Sequence, residues 1–276
     1  MDYTRYFNLS LKPFSSVPDE RFFYNSPQHS KALYKLLYAA ENMKGLALLV
    51  GDIGAGKTTI SRRLLDILST RGGFEISLMV VIHTEITPLW FLRKIAHQFG
   101  VSANVQDRVQ LIGLLYKRLV EMRERGAKSV VMVDEANMLQ KREIMEEIRG
   151  LLNMVVGGEH LITFILFGLP ETEEYLKLDP PLYQRISIKC HLGPLDEEST
   201  KAYILHRLKV AGRTEPLFTP ECFPIIHKAS GGKPRLVNII CDNALLDAFL
   251  LKKPIVDRAI LLEAIEDLGL KEGEEK

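Results

Sequence analysis

The sequence is poor in cysteine and has no long hydrophobic run, and both shortages exclude classes of protein. Its 276 residues include three cysteines, Cys190, Cys222 and Cys241, which lie far apart. This odd number and wide spacing suit neither a disulfide framework nor a zinc cluster. No apolar stretch reaches the roughly 18 to 20 residues of a membrane-spanning helix, and the start MDYTRYFNLSLKPF lacks the apolar core of a signal peptide. We therefore expect a cytoplasmic protein in a reducing compartment, without a transmembrane segment.

The chain also has almost no net charge, because 36 basic and 35 acidic residues leave a formal charge of +1. Composition alone therefore does not point to nucleic acid, an anionic membrane or a polyanionic substrate, and only a local patch could do so. Apolar residues, in contrast, make up 46% of the chain, which is long enough to bury a sizeable core. We expect a globular protein of one or two domains.

Short β-branched runs alternate with longer helical patterns over the first two-thirds of the chain. This alternation is typical of a mostly parallel sheet flanked by helices. From Pro194 onward the strand signals stop and only helical patterns follow. The fold class is therefore α/β, with a separate all-helical module. We expect an N-terminal segment and helix (1–45), an α/β core (46–193), the helical module (194–268) and a polar tail (269–276).

Five strands are predicted, at residues 46–50, 76–82, 129–133, 161–167 and 186–191. A helix is predicted to begin at Pro27, with Ser26 as its N-cap, and to end at Gly45. The helix that follows the third strand is predicted at 142–155 and is expected to end near Gly157-Gly158. The remaining helices are predicted at 58–70, 88–99, 106–125, 197–211, 220–229, 234–251 and 256–268.

The loop between the first strand and the next helix carries a phosphate-binding pattern. It reads GDIGAGKT and fits G-x-x-x-x-G-K-[ST] between an apolar strand and a helix. In such a loop the backbone N–H groups surround an anion, Lys57 reaches the β- and γ-phosphates, and the Thr58 hydroxyl binds magnesium. The alternative is a glycine-rich turn that merely connects strand to helix. The predicted ATP-binding positions are Gly51, Asp52, Ile53, Gly54, Ala55, Gly56, Lys57, Thr58 and Thr59.

Two carboxylates, Asp134 and Glu135, directly follow the apolar run VVMV. Open α/β sheets bind ligands at the carboxyl ends of their strands, so both acids are expected at a ligand site. Asp134 is expected to bind Mg²⁺ together with Thr58, and Glu135 to activate a water for attack on the γ-phosphate. The alternative is that these acids cap the next helix.

Five motifs occur in the order seen in one known family: GDIGAGKTT, VVMVDEA, LFGLPE, LYQRI and GGKPRLVN. From about Tyr3 to Leu268 the chain resembles the AAA+ ATPases, specifically the ExeA/GspA type of secretion and pilus biogenesis. The resemblance implies a P-loop AAA+ core with a five-stranded parallel sheet, a C-terminal helical lid, and ATP and Mg²⁺ as ligands. Longer members continue into a transmembrane segment and a peptidoglycan-binding domain, so we expect the ATPase module standing alone.

The same resemblance assigns roles to two arginines. Arg185, in LYQRI, takes the position of an arginine finger that reaches the γ-phosphate held by a neighbouring subunit, which implies an ATP-dependent ring or filament. Arg235, in GGKPRLVN, takes the position of the second sensor at the start of a lid helix. The alternatives are a surface arginine before an edge strand and ordinary helix-start chemistry. The predicted catalytic residues are Lys57, Glu135, Arg185 and Arg235.

Two positions depart from the family pattern or are ambiguous within it. Relatives often carry Gly-Gln before the proline of the LFGLPE motif, whereas this sequence has Gly168 and Leu169, so the first sensor is unassigned. His83 follows the predicted strand 76–82, where relatives carry an asparagine that gates the catalytic glutamate. A plain polar strand end is the alternative for His83.

Three functions are compatible with the sequence. The first is an assembly ATPase for a secretion or pilus machine, with homo-oligomers driven by ATP, envelope proteins as partners and a location peripheral to the inner membrane. The second is a DNA-associated regulator of transposition, like the TniB, MuB and TnsC ATPases. The third is a nucleotide-dependent switch that turns over slowly.

DNA is the less favoured partner because the basic residues of the helical module are accompanied by acids. A solvated lid face is the alternative interpretation of these basic residues. The acids are Asp242, Asp247 and Asp257, and the basic residues are Lys228, Lys233, Arg235, Lys252, Lys253 and Arg258.

Overall fold

The computed structural model describes residues 2–15, 17, 19–102, 105 and 107–270. Most of the expected polar tail, from residue 271 onward, and the predicted helix start at Gln106 lie outside these residues. The chain folds as two compact units. We call residues 27–52 and 60–192 the sheet unit, and residues 1–26, 53–59 and 193–276 the helical unit.

The sheet unit is built on five parallel strands, which confirms the predicted five-stranded parallel sheet. The strands are β1 (Leu46–Gly51), β2 (Phe74–Val80), β3 (Lys128–Asp134), β6 (Thr163–Gly168) and β7 (Ile186–Leu192), and a separate hairpin comprises β4 (Val155–Val156) and β5 (Glu159–His160). The order of the strands in the sheet is β2-β3-β6-β1-β7. Every residue of the central strands β1 and β6 is buried, as expected for strands covered on both faces.

Helices cover this sheet, and some of them begin at a residue whose side chain caps the helix N-terminus. Thr87 caps α4 by accepting a hydrogen bond from the Trp90 N–H at 3.2 Å. Leu92 and Ile95 of the same helix are fully buried, and each such side chain stabilises the fold by about 1.5–3 kcal/mol. These helices are α2 (Pro27–Glu41), α3 (Lys57–Arg71), α4 (Pro88–Gln98), α5 (Arg108–Glu124), α6 (Arg142–Leu152), α7 (Thr172–Leu176) and α8 (Pro180–Tyr183).

Two predicted elements have different ends in the structure. Strand β2 stops at Val80, because its partner β3 ends at Asp134 in register with it, and His83 therefore lies in the following loop. The helix predicted at 142–155 ends at Leu152. Gly157 and Gly158, both with positive φ, form the two-residue turn of the β4-β5 hairpin that follows.

The helical unit contains α1 (Tyr3–Tyr6), α9 (Glu197–Val210), α10 (Cys222–Ser230), α11 (Pro234–Leu250) and α12 (Arg258–Asp267). Aromatic residues of the N-terminal segment share its core, and the rings of Phe14 and Phe218 lie 6.1 Å apart. Buried Arg207 donates to the backbone oxygen of Pro13 and lies 4.8 Å from the ring centre of Phe22. The segment is thereby bound to α9. Within the described ranges, no helix combines the length and apolarity needed to cross a membrane.

Candidate nucleotide site

The phosphate-binding pattern lies on a tight loop between β1 and α3. Gly54 and Gly56 have φ angles of 79° and 103°, which residues with a Cβ atom rarely adopt. The helix α3 begins at Lys57, whose side chain is buried. A loop of this kind directs backbone N–H groups and the positive end of a helix dipole toward one point. The arrangement has the features of an anion cradle.

Arg235 lies beside this loop within the helical unit. Its backbone N–H donates to the Gly54 oxygen at 3.4 Å, and a Cβ atom on Gly54 would lie 2.7 Å from the Arg235 Cβ. The side chain of Arg235 is exposed, and Pro234 occupies the first turn of α11. Glycine at position 54 therefore serves both the loop conformation and the close approach of α11.

The two predicted acids lie at the carboxyl end of β3. Asp134 is 4% exposed, and its Oδ1 accepts the Glu135 N–H at 3.0 Å. The Asp134 backbone oxygen accepts the Val81 N–H at 3.1 Å, which anchors the chain just beyond β2. Glu135 is partly exposed and has φ 55° and ψ 41°, a left-handed conformation that non-glycine residues seldom adopt. Such conformations are concentrated at functional sites.

A polar residue that the sequence analysis did not consider also lies at this edge of the sheet. Asn137, in the helical turn Ala136–Met138, is 5% exposed. Its Oδ1 accepts the Leu169 N–H at 3.2 Å, just beyond the end of β6. The only sequence signal for it is an asparagine two positions after the second acid, and that signal is weak on its own.

Arg185 is exposed between α8 and β7 in the sheet unit. Its guanidinium donates to Asn153 Oδ1 at 2.6 Å, at the end of α6. Asp179 caps α8 through the Leu182 N–H at 3.1 Å and pairs with Arg149 of α6 at 2.8 Å. Two contacts with α6 therefore fix the segment that carries Arg185.

The residues present fit a magnesium nucleotide. The cradle between β1 and α3 suits a phosphate chain. In the sheet unit, the Asp134 carboxylate is a hard oxygen ligand of the kind that Mg²⁺ prefers. Across the described part of the chain, no three His, Cys, Asp or Glu side chains cluster as a metal site of their own. This donor set suits an ion that binds one or two protein groups together with substrate phosphates.

Comparison with known proteins identifies the domain. Residues 40–176 match the family described as AAA domain. Residues 40–176 form an AAA domain. The chain is 36% identical over 274 residues to general secretion pathway protein A of Aeromonas hydrophila, covering 98% of this chain and 49% of that protein. This match confirms the predicted kinship with the ExeA/GspA type.

A weaker match is Mu-like prophage FluMu DNA transposition protein B of Haemophilus influenzae, 25% identical over 165 residues, covering 58% of this chain and 54% of that protein. The chain thus spans about half the length of each of these two relatives. The Aeropyrum pernix ORC2 structure aligns with a TM-score of 0.68 at 15% identity, covering 93% of this chain and 71% of that one. This similarity, together with the match to the AAA domain, confirms the predicted α/β fold class.

Proposed function

We propose that this AAA domain binds ATP with magnesium and hydrolyses it to ADP and phosphate. The observation that carries the proposal is the loop between β1 and α3, where Gly54 and Gly56 have positive φ and Lys57 opens the helix. A connecting turn requires neither the two left-handed glycines nor a buried lysine at the helix start.

Each residue of the site has a distinct task in this proposal. Lys57 binds the β- and γ-phosphates, and Thr58 and Asp134 would hold the metal ion. Bound magnesium would neutralise charge that develops on the phosphates. Glu135 accepts a proton from the attacking water while the water oxygen bonds to the γ-phosphorus. The bond from that phosphorus to the bridging oxygen breaks, and ADP leaves with the electron pair.

Three variants test this proposal. Lys57→Ala is expected to lose ATP binding in a fluorescent-nucleotide titration. Glu135→Gln should bind ATP like the parent protein but release phosphate at least about 100-fold more slowly. Lys117→Ala, an exposed position on α5, is the matched control and should behave like the parent. Parent-like phosphate release by Glu135→Gln contradicts the assignment of the base.

The same assays separate an ATPase from a slow switch. A switch would bind ATP as tightly as an active enzyme does but would release phosphate on the scale of hours. We favour the ATPase because Glu135 stands beside Asp134 in a strained conformation, which a purely binding site does not require.

We further propose that hydrolysis takes place between subunits of a homo-oligomer. Supporting this, Arg185 is exposed and tethered to Asn153 on the surface of the sheet unit. Mixing Arg185→Ala with Lys57→Ala subunits should restore part of the activity, since each variant supplies the residue that the other lacks. No recovery at any mixing ratio contradicts a shared site.

The process served is proposed from kinship with general secretion pathway protein A. We propose protein partners in an envelope assembly machine, a secretion pore or a pilus, and a location peripheral to the inner membrane. Deleting the gene should abolish secretion or piliation in the source cell, and a Glu135→Gln copy should fail to restore it. Restoration by the Glu135→Gln copy contradicts an ATP-driven role.

DNA-linked transposition control is the second candidate, favoured by the match to a DNA transposition protein and by exposed cations in the helical unit. Acidic residues are also present in the helical unit. Asp247 lies near Asp267 and Glu263, and burial together with these two carboxylates raises the pKa of Asp247. Filter retention of DNA with a non-hydrolysable ATP analogue should show a steep salt dependence if this candidate is correct. No retention at low salt removes it. The exposed cations are Lys228, Arg235, Lys252, Lys253 and Arg258.

A further inference from the structure

The chain turns sharply after β3, and the turn brings Asn137 to the end of β6. Glu135 takes the left-handed conformation, and the helical turn that follows directs Asn137 toward Leu169. Gly168 permits the close approach, because a Cβ atom there would lie 2.1 Å from Thr172 Oγ1 and 3.1 Å from the backbone nitrogen of Asn137. The position of Asn137 is therefore closely fixed by its surroundings.

The orientation of the Asn137 amide follows from its single hydrogen bond to the backbone. An N–H group must face an acceptor, so the atom that receives the Leu169 N–H is the amide oxygen. Nδ2 consequently points the other way. It has no hydrogen-bond partner among residues 2–15, 17, 19–102, 105 and 107–270, and it is not among their fully enclosed unpaired atoms. A ligand oxygen can therefore reach it.

The place of this donor in the sheet indicates its ligand. Strand β6 lies between β3, which ends at Asp134, and β1, which ends at Gly51. Ligands of open parallel sheets bind at the carboxyl ends of such strands. A donor here complements an anionic oxygen.

We propose that Asn137 Nδ2 donates a hydrogen bond to the terminal phosphate of ATP, supplying the polar contact that Leu169 at the end of β6 cannot make. A donor to the attacking water would lower the nucleophilicity of its oxygen, whereas a donor to the phosphate stabilises the charge that develops in the transition state. This inference rests on the proposed ATPase function. It adds to Lys57 a second donor for the terminal phosphate, one that follows β3 in the chain.

Asn137→Asp is the most informative variant. Its carboxylate retains the acceptor for the Leu169 N–H but has no N–H to donate. We expect phosphate release to fall about 100-fold in kcat, as on removal of other transition-state donors. The ratio of affinities for a non-hydrolysable ATP analogue and for ADP should fall at least tenfold, because only the analogue has the terminal phosphate.

Asn137→Ala removes the donor without adding charge and should show the same preference for ADP. The matched control is Asn42→Asp, because Asn42 is exposed and lies just before the start of β1, away from the carboxyl ends of the strands. It should change neither kcat nor the affinity ratio. A purely structural role for Asn137 would lower the melting temperature of Asn137→Ala and leave the affinity ratio of Asn137→Asp at the parent value.

The outcomes distinguish the inference from the function on which it rests. If the parent protein releases no phosphate but Asn137→Asp still changes the affinity ratio, the contact is supported and hydrolysis is refuted. Parent-like kcat and affinity ratio in Asn137→Asp refute the contact while hydrolysis stands. A parent protein that binds neither nucleotide refutes both.

Discussion

At Glu135 the predicted base and an unfavourable backbone conformation coincide. Its φ of 55° places Cβ close to its own backbone, a conformation that costs roughly 1–2 kcal/mol for residues other than glycine. The neighbouring Asp134 carboxylate accepts its N–H and helps to hold it there. This conformation directs the chain from β3 into the helical turn that carries Asn137. The positions of the Glu135 carboxylate and the Asn137 amide therefore both depend on the φ and ψ angles of Glu135.

Glycine at position 135 should therefore give a more stable protein than alanine does. We expect Glu135→Gly to exceed Glu135→Ala by about 1 kcal/mol in the free energy of unfolding, measured by chemical denaturation. The same pair at Lys117, within α5 and exposed, should show the opposite order by about 1 kcal/mol. Equal stability of the two Glu135 variants would mean that the left-handed conformation relaxes.

Single residues differ in how well the sequence reveals them. The positions of Lys57 at the start of α3 and of Asp134 at the end of β3 were predictable, because the two sequence patterns have fixed spacing from glycines and from a strand end. The position of Asn137 was not, since the role that we propose for it rests on a hydrogen bond to Leu169, 32 positions away along the chain. Neither the unusual φ of Glu135 nor this long-range contact leaves a local pattern.

Helix α6 connects the turn after β3 to the segment that carries Arg185. Its Arg149 pairs with Asp179, and its C-terminal Asn153 accepts from Arg185. The hydrogen bond that Arg149 donates to the Asp179 carboxylate raises the pKa of the Arg149 guanidinium. Arg149 of α6 and Asn153 at its C-terminal end therefore hold the segment that carries the proposed finger.

Removing the Asn153 side chain should release Arg185 without unfolding the protein. For Asn153→Ala we expect kcat to fall roughly three- to tenfold, because a mobile finger spends less time in its productive position. The free energy of unfolding should change by less than about 0.5 kcal/mol, since Asn153 is exposed.

Arg142→Ala serves as the control for this prediction. It breaks an exposed pair with Glu146 on the same helix, at 3.0 Å, and should leave kcat unchanged. Equal kcat in Asn153→Ala and the parent argues against a positioning role for the end of α6.

Strands formed by a long apolar run were predictable, and short elements were not. The fully buried runs of β1 and β6 correspond to predicted strands within two residues at each end. The β4-β5 hairpin escaped prediction because two-residue strands carry no alternation, and Val155 continued the pattern of α6. Only the Gly157-Gly158 pair marks the turn, and it equally suits a helix end.

The two compact units contain different sets of buried ionisable groups. Burial raises the pKa of the Cys222 and Cys241 thiols above the usual 9.0, and that of the Tyr3 and Tyr203 hydroxyls above the usual 10.0. All four lie in the helical unit. These groups lose their protons at a lower pH in the unfolded chain than in the folded chain. Rising pH therefore favours the unfolded state.

The helical unit should therefore lose stability in alkali. Its full stability is present below about pH 9, and we expect the free energy of unfolding to fall between pH 9 and 11. Denaturation followed by circular dichroism at several pH values measures this fall. Cys241→Ala removes one titrating group and should flatten the curve. An unchanged slope in Cys241→Ala would show that this thiol does not contribute.

At the scale of the whole molecule, the sequence predicted the α/β class and the helical C-terminal part because strand signals stop at Pro194. It did not predict that the N-terminal aromatic residues pack with that C-terminal part. Phe14 packs against Phe218, and Pro13 accepts from Arg207, contacts that join opposite ends of the chain. Such long-range packing depends on tertiary structure, which local propensity does not encode.

The strand order also dictates when the nucleotide loop can form during synthesis. Among the described residues, the strand partners of β1 are β6 and β7. Leu46 therefore has no strand neighbour until Phe164 of β6 and Ile186 of β7 have been synthesised. Non-local pairings of this kind slow folding. The loop at Gly51–Thr58 is synthesised before β6 and β7, so the strand that precedes it gains its neighbours only later. A nascent chain released before β7 emerges should be unable to retain ATP.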